Sequence, residues 1–194
     1  MQTTKEEFWN WFDKNKTSLE VFISEGQRSY EIYEQLSDKL NGYSEFLIPE
    51  LTMDKEDRFI LVVSCDGVKQ GIPFAEALTE GVKDFENWKI VKYRQPSPMK
   101  RIPFGGIRLK RKDIYLTWNE PVAGKYHIIF FVKGHNEQNQ HYEGATLLHM
   151  DHTIGEYNAM TRIEGVTIKR LGLWQSKKGL KTLDDLAVAL GVLL

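Results

Sequence analysis

A basic segment is the part of the sequence whose residues are most clearly suited to binding chemistry. Residues 89–112 contain nine lysines and arginines and no acidic residue, whereas residues 1–57 contain 13 acidic and six basic residues. Six of the nine cations flank the turn Pro103-Phe104-Gly105-Gly106: Lys100, Arg101, Arg108, Lys110, Arg111 and Lys112. Because neighbouring cations repel one another unless an anion lies opposite, these six residues predict a site for an anion or an acidic partner. A solvated charged surface is the alternative interpretation.

The orientation and the partner of this segment follow from strand geometry and composition. In an extended chain, Arg108, Lys110 and Lys112 lie on one side, and Leu109 and Arg111 lie on the other. The acidic group that faces them is either the acidic segment 1–57 or an external molecule. The net charge of −1 and the shortage of aromatic residues in this segment argue against nucleic acid as the partner.

A second group of chemically active residues lies near position 150. His149, His152 and Glu156 have the spacing i, i+3 and i+7, which places them on one face of a helix. We expect this face to point to solvent, because the apolar face of the same helix lies roughly opposite: Leu147, Met150, Ile154 and Tyr157. The sequence has no paired cysteines and no His-Glu-x-x-His motif, so we predict neither a metal nor a cofactor. Asp151, together with His152 and Glu156, is the candidate centre of an alternative function, a hydrolase or transferase.

Motifs for nucleophilic catalysis or phosphate-loop binding are missing from the sequence. There is no Gly-x-Ser-x-Gly, Gly-x-x-x-x-Gly-Lys or Gly-x-Gly-x-x-Gly pattern. Cys65 is the single cysteine, and we expect it to be a buried thiol at the end of a strand. The amino-terminal residues show no signal peptide and no apolar run is long enough to span a membrane, so we expect a cytoplasmic protein.

The helices and strands that position these residues can be read from the sequence pattern, which predicts an α+β fold. Residues 1–43 predict a helical hairpin, with helices over Lys5–Ser24 and Ser29–Leu40, Thr4 as a cap, and Trp11 and Phe12 in the core. The order strand, strand, helix, strand then occurs twice: Phe46–Met53, Arg58–Cys65, Ile72–Phe85 and Trp88–Arg94, and again Asp113–Trp118, Tyr126–Val132, His141–Tyr157 and Arg162–Arg170.

These patterns predict one domain over residues 1–194. It comprises the helical hairpin (1–43), a first ββαβ unit (44–96), a basic Pro/Gly connector (97–112), a second ββαβ unit (113–170) and a tail (171–194). We expect the two ββαβ units to share one antiparallel-rich sheet. The tail has a capping box at Thr182 and Asp185 and a short helix with an apolar stripe: Leu183, Leu186, Leu190 and Leu194. Such a short helix must dock on this domain or on a second copy, which would give a homodimer.

Several stretches resemble a known family. They are Phe8-Trp-Asn-Trp-Phe, Leu61-Val-Val-Ser-Cys-Asp-Gly, Trp88-Lys-Ile-Val-Lys-Tyr-Arg-Gln-Pro and the helical stretch that ends in Gly155-Glu156-Tyr157. Together they resemble the uncharacterised bacterial domain of unknown function 695 family over Phe59 to Leu190, with the opening helix in addition. The resemblance implies a bacterial source and an α+β fold, and it transfers no catalytic residue.

The sequence therefore favours a non-catalytic binding or regulatory domain for a protein or a small ligand. The alternative is the hydrolase or transferase built on Asp151, His152 and Glu156. A deep cleft that gathers these three side chains would favour the enzyme, and their dispersal over an exposed helix would favour the binding domain.

Overall fold

The computed structural model describes residues 2–26, 30–136, 138–172 and 176–192, which form helices and strands in an α+β arrangement as predicted. The chain divides into two compact units, Met1–Arg94 and Gln95–Leu194, and the single domain over residues 1–194 stays a prediction. Each unit has its own helices and its own three-stranded sheet.

The first unit contains the predicted helical hairpin and the first ββαβ arrangement. Its elements are α1 (Lys5–Ser24), α2 (Glu31–Tyr43), β1 (Ile48–Met53), β2 (Phe59–Ser64), α3 (Ile72–Thr79) and β3 (Trp88–Lys92). Ser29, the predicted start of α2, lies outside the described residues. Helix α3 is shorter than predicted, because Gly81 follows it with a positive φ and the chain leaves the helical path.

Helix α1 forms for the predicted reasons, but one of its core residues differs. The Thr4 hydroxyl accepts from the Glu7 amide and the Glu7 carboxylate accepts from the Thr4 amide, which completes a capping box. Phe12 is fully buried as predicted, whereas Trp9 is buried in place of Trp11, which is only half-buried. The Trp9 indole fixes this orientation by donating to the Leu78 carbonyl at 2.8 Å.

The second unit contains the second ββαβ arrangement and two additional strands. Its elements are β4 (Arg101–Phe104), β5 (Ile107–Lys110), β6 (Ile114–Val122), β7 (Lys125–Val132), α4 (His141–Ile154), α5 (Glu156–Arg162), β8 (Ile163–Arg170) and α6 (Leu183–Ala189). The predicted helix His141–Tyr157 is interrupted at Gly155, whose φ of 79° and ψ of 152° end α4 and start α5. A backbone with this φ favours glycine, and the break moves Tyr157 off the face of α4.

The prediction of one shared sheet is wrong. Among the described residues the strands form three separate sheets, ordered β1-β2-β3, β4-β5 and β6-β7-β8. In both three-stranded sheets the central strand pairs antiparallel with the first strand and parallel with the third. The free edge of β6 pairs instead with the tail of its own unit, through two hydrogen bonds between Leu116 and Lys181.

The predicted connector is a folded hairpin. Strands β4 and β5 pair antiparallel across the Gly105-Gly106 turn, with Ile102 opposite Leu109, and these two apolar side chains are buried. The hairpin packs on α4, where the ring of Phe104 lies so close to Gly144 that a β-carbon on that glycine would be 2.3 Å from it. The prolines and the glycine pair, which indicated a connector, belong to a hairpin whose apolar residues Ile102 and Leu109 form one buried face.

The predicted carboxy-terminal helix is confirmed as α6. Its Thr182–Asp185 capping box is formed, and Leu183, Leu186 and Leu190 are buried in the core of their own unit. Leu194, the last residue of the predicted stripe, lies outside the described residues. The stripe thus docks on its own unit, and the homodimer stays a prediction. No helix of the described ranges is both long and apolar enough to cross a membrane.

Candidate functional site

A cavity of about 520 Å³ in the second unit gathers most of the predicted basic residues. Five of the six predicted cations line it: Lys100, Arg101, Lys110, Arg111 and Lys112. The other lining residues are Ile114 and Tyr115 at the start of β6, and Thr182, Leu183 and Asp184 at the start of α6. The volume lies within the range of roughly 300–1,000 Å³ that is typical of small-molecule sites.

The base of the β4–β5 hairpin brings these cations together. Arg101 lies directly opposite Lys110 in the ladder, and the Arg111 amide donates to the Lys100 carbonyl at 3.1 Å. Regular strand alternation would send Lys110 and Arg111 to opposite faces, but a 3-10 turn over Arg111–Asp113 interrupts it. Arg111 and Lys110 both line the cavity, and the Arg111 guanidinium reaches Thr153 on α4, the helix on which the hairpin packs.

Arg108 is the predicted site residue that the structure leaves out of the cavity. It pairs with Pro103 nearer the tip of the hairpin, and it lines a separate shallow depression around the Gly105-Gly106 turn. The residue is exposed. It shares the outer face of the hairpin with Lys110, as predicted, yet it lies two residues further from the base.

Arg111 connects the floor of the cavity to two helices. One of its terminal nitrogens donates to the Thr153 hydroxyl on α4, and the other donates to the Asp184 carboxylate on α6. The Arg111 side chain is only 16% exposed, whereas that of Asp184 is 66% exposed. Asp184 is the single acidic residue of the cavity lining, and it pairs with Arg111.

Helix α4 buries His149, which was predicted to face solvent, and it also buries Thr153, the partner of Arg111. His149 is fully buried, and its Nε2 lies 3.1 Å from the Leu109 carbonyl, which accepts a hydrogen bond when Nε2 carries the hydrogen. The Thr153 hydroxyl donates to the His149 carbonyl. The predicted solvent face was wrong because these polar groups find backbone partners inside the unit, so they pack where apolar side chains were expected.

The pKa of His149 agrees with this placement. Burial lowers the pKa of the imidazole below its usual value of 6.5. The contact with the Leu109 carbonyl opposes this shift, while the positive charge of Arg111 and the neighbouring His152 contribute to it. The ring is therefore neutral at neutral pH, and its Nδ1 has no hydrogen-bond partner among the described residues.

The candidate catalytic residues do not gather in the cavity. Asp151 and His152 are half-buried and Glu156 is fully buried, where exposure was predicted, and none of the three lines the basic cavity. Glu156 belongs to α5, since the break at Gly155 separates it from α4. In the described ranges, no group of three histidine, cysteine, aspartate or glutamate side chains is arranged to hold a metal ion.

Three polar lining residues were not predicted from the sequence. Tyr115 carries the ammonium of Lys177 over its ring at 4.6 Å, Thr182 caps α6, and Asp184 lies in the first turn of that helix. The capping box at Thr182 was visible in the sequence as a helix start. Its position beside the hairpin depends on the pairing of Lys181 with Leu116, which no local pattern encodes.

No family model, curated protein or solved structure matches the chain. The resemblance to the domain of unknown function 695 family therefore stays an expectation. The function must be argued from the geometry of the cavity.

Proposed function

We propose that this chain is a non-catalytic binding protein whose second unit holds a small anionic ligand in the basic cavity. The observation that carries the proposal is the convergence of five cations on one cavity with one acidic residue in its lining. Four of these cations, Lys100, Arg101, Lys110 and Lys112, have no ion-pair partner within the described residues.

The charge arrangement supports an anion as the ligand. Like charges held in one cavity raise the free energy of the folded protein, and an anion that enters the cavity removes this repulsion. Hydrogen bonds between a cation and an anionic oxygen are about twice as strong as those between neutral groups. A protein that keeps four unpaired cations in one cavity therefore gains affinity for an anion from each of them.

The apolar part of the lining supports a small molecule over a flat acidic surface. Ile114 and Leu183 are each 1% exposed and form part of the cavity wall, beside the partly exposed Tyr115. Ligand sites in proteins combine an apolar wall with a few polar groups that fix the orientation of the ligand. An acidic partner protein would use the outer cations without filling this volume.

The placement of the carboxylates favours binding over catalysis. A hydrolase needs its acid and base within hydrogen-bond reach of one bound substrate. Asp151, His152 and Glu156 do not line the cavity that would hold such a substrate.

As the single cysteine of the sequence, Cys65 forms no disulfide within the chain, which supports a reducing cytoplasm as the compartment of this binding protein.

Calorimetric titration with citrate, phosphate and pyrophosphate tests the proposal. We expect saturable binding of at least one of these anions at low salt, and weaker binding as the salt concentration rises, because ions screen the attraction. Lys110→Ser is expected to weaken this binding about tenfold, the effect of losing one charge-assisted hydrogen bond.

The matched control is Arg108→Ser. It removes one positive charge from the same outer face of the same hairpin, two residues away and outside the cavity. Its affinity should stay within about twofold of the unmodified protein, since an exposed charge outside a site contributes little. Equal losses in the two variants would show that general surface charge, and not the cavity, attracts the anion.

A further inference from the structure

We infer that the cavity is built for a linear oligophosphate group, such as the phosphate chain of a nucleotide or of inorganic polyphosphate. The inference rests on the proposed function and adds the chemical class of the ligand. It follows from the number of unpaired cations, from their arrangement along the base of the hairpin, and from the way Arg111 is held.

The number of charges sets the first requirement. Asp184 neutralises Arg111, which leaves Lys100, Arg101, Lys110 and Lys112 without an ion pair in the part of the chain that the structure describes. A ligand of one or two charges leaves most of this repulsion in place. A group with three or four negative charges is needed to balance four cations.

The arrangement of the cations sets the second requirement. Arg101 and Lys110 lie opposite each other in the ladder, Lys100 and Arg111 form the next pair, and Lys112 follows in the 3-10 turn. Successive positions along a strand are about 3.3 Å apart and neighbouring strands are about 4.8 Å apart. The backbone positions that carry these cations therefore span several ångströms at the base of the hairpin, and a chain of phosphates reaches more of the cations than a compact anion does.

Arg111 acts as a positioning residue in this arrangement. Its two terminal nitrogens are committed to Thr153 and Asp184, so the guanidinium holds the 3-10 turn against α4 and α6. The Asp184 carboxylate repels an anion beside Arg111. A ligand is thereby directed toward the four unpaired cations and away from Arg111.

Separate titrations with four anions distinguish this inference from the proposed function. The probes are tripolyphosphate, orthophosphate, citrate and ATP without divalent metal, each titrated into the full chain at the same ionic strength. We expect tripolyphosphate to bind at least about tenfold more tightly than orthophosphate or citrate, because it contacts more cations at once. Lys100→Ser/Lys112→Ser should remove most of this preference, while Lys169→Ser/Arg170→Ser, which removes two exposed charges from β8, should keep it.

The outcomes are distinct. If citrate binds as tightly as tripolyphosphate, the result supports the proposed binding of a small anion and overturns the oligophosphate inference. If none of the four probes binds, the proposed function fails together with the inference. A thermal melt of each variant shows that it is folded. Tighter binding of ATP than of tripolyphosphate identifies a nucleotide as the source of the phosphate chain, and weaker or equal binding identifies a free polyphosphate.

Discussion

At the scale of single residues, Arg111 and His149 link the surface cavity to the interior of the second unit. Arg111 contacts α4 and α6, and His149 supports the hairpin from below through the Leu109 carbonyl. Both residues were noticed in the sequence for their chemistry, but their roles were not predicted. A histidine and a threonine on a helix count as polar in any hydropathy pattern, and only the tertiary structure supplies the partners that allow them to be buried.

From the burial of His149 we predict that the free energy of unfolding decreases at acidic pH. Its folded pKa lies below 6.5 because burial penalises the charged ring. The unfolded chain therefore binds the proton more readily, so the free energy of unfolding falls as the pH drops from 6.5 through the folded pKa, and this contribution levels off below it.

Urea denaturation of the protein and of His149→Gln between about pH 7 and pH 5 measures this effect. Glutamine keeps a donor for the Leu109 carbonyl and does not titrate, so the variant should lose less stability over this range. An identical pH dependence in the two proteins would show that His149 is not the group that titrates.

At the scale of elements, the sequence predicted the types of helices and strands better than their ends or their partners. Helix α1, its cap and the capping box of α6 follow from local patterns of a few residues. The end of α4 at Gly155 and the hairpin at residues 101–110 were not predicted, because a glycine break and a pair of short strands depend on packing. The cations of the site were predicted from composition, and their meeting in one cavity was not.

Gly144→Ala tests the docking of the hairpin on α4. Alanine is about 0.5–1 kcal/mol better than glycine within a helix. Its β-carbon would nevertheless lie 2.3 Å from the Phe104 ring, so we expect a net destabilisation of about 1–3 kcal/mol from overpacking. The same change in a Phe104→Ala background should cost less, because the ring is gone. Equal costs in both backgrounds, measured by chemical denaturation, would contradict this contact.

Phe12→Ala and Trp11→Ala test the register of α1. Phe12 is fully buried and its ring packs on those of Trp9, Phe85 and Trp88, so its truncation should cost about 3–5 kcal/mol. Trp11 is half-buried, so Trp11→Ala should lower the free energy of unfolding by clearly less, although tryptophan is the larger side chain. Equal or reversed losses in urea denaturation would show that the helix presents a different face to the core.

At the scale of the whole molecule, charge is distributed unevenly between the two units. The acidic residues of positions 1–57 belong to the first unit, and the cations of the candidate site belong to the second. The change in hydrophobic period along the chain correctly indicated a mixture of helices and strands, and the internal repeat stays a prediction. The division of the strands into three sheets was not predicted, because strand partners that lie far apart in the chain leave no local pattern in the sequence.

The central claim is that the second unit binds a small anion in the basic cavity. Amide chemical-shift mapping of the ¹⁵N-labelled full chain during titration with pyrophosphate tests it most directly, because the measurement locates the ligand. We predict saturable shifts concentrated at residues 100–101, 110–115 and 182–184, with the shifts lost in Arg101→Ser/Lys110→Ser. Shifts that do not saturate, or that concentrate in residues 2–94, would contradict the claim.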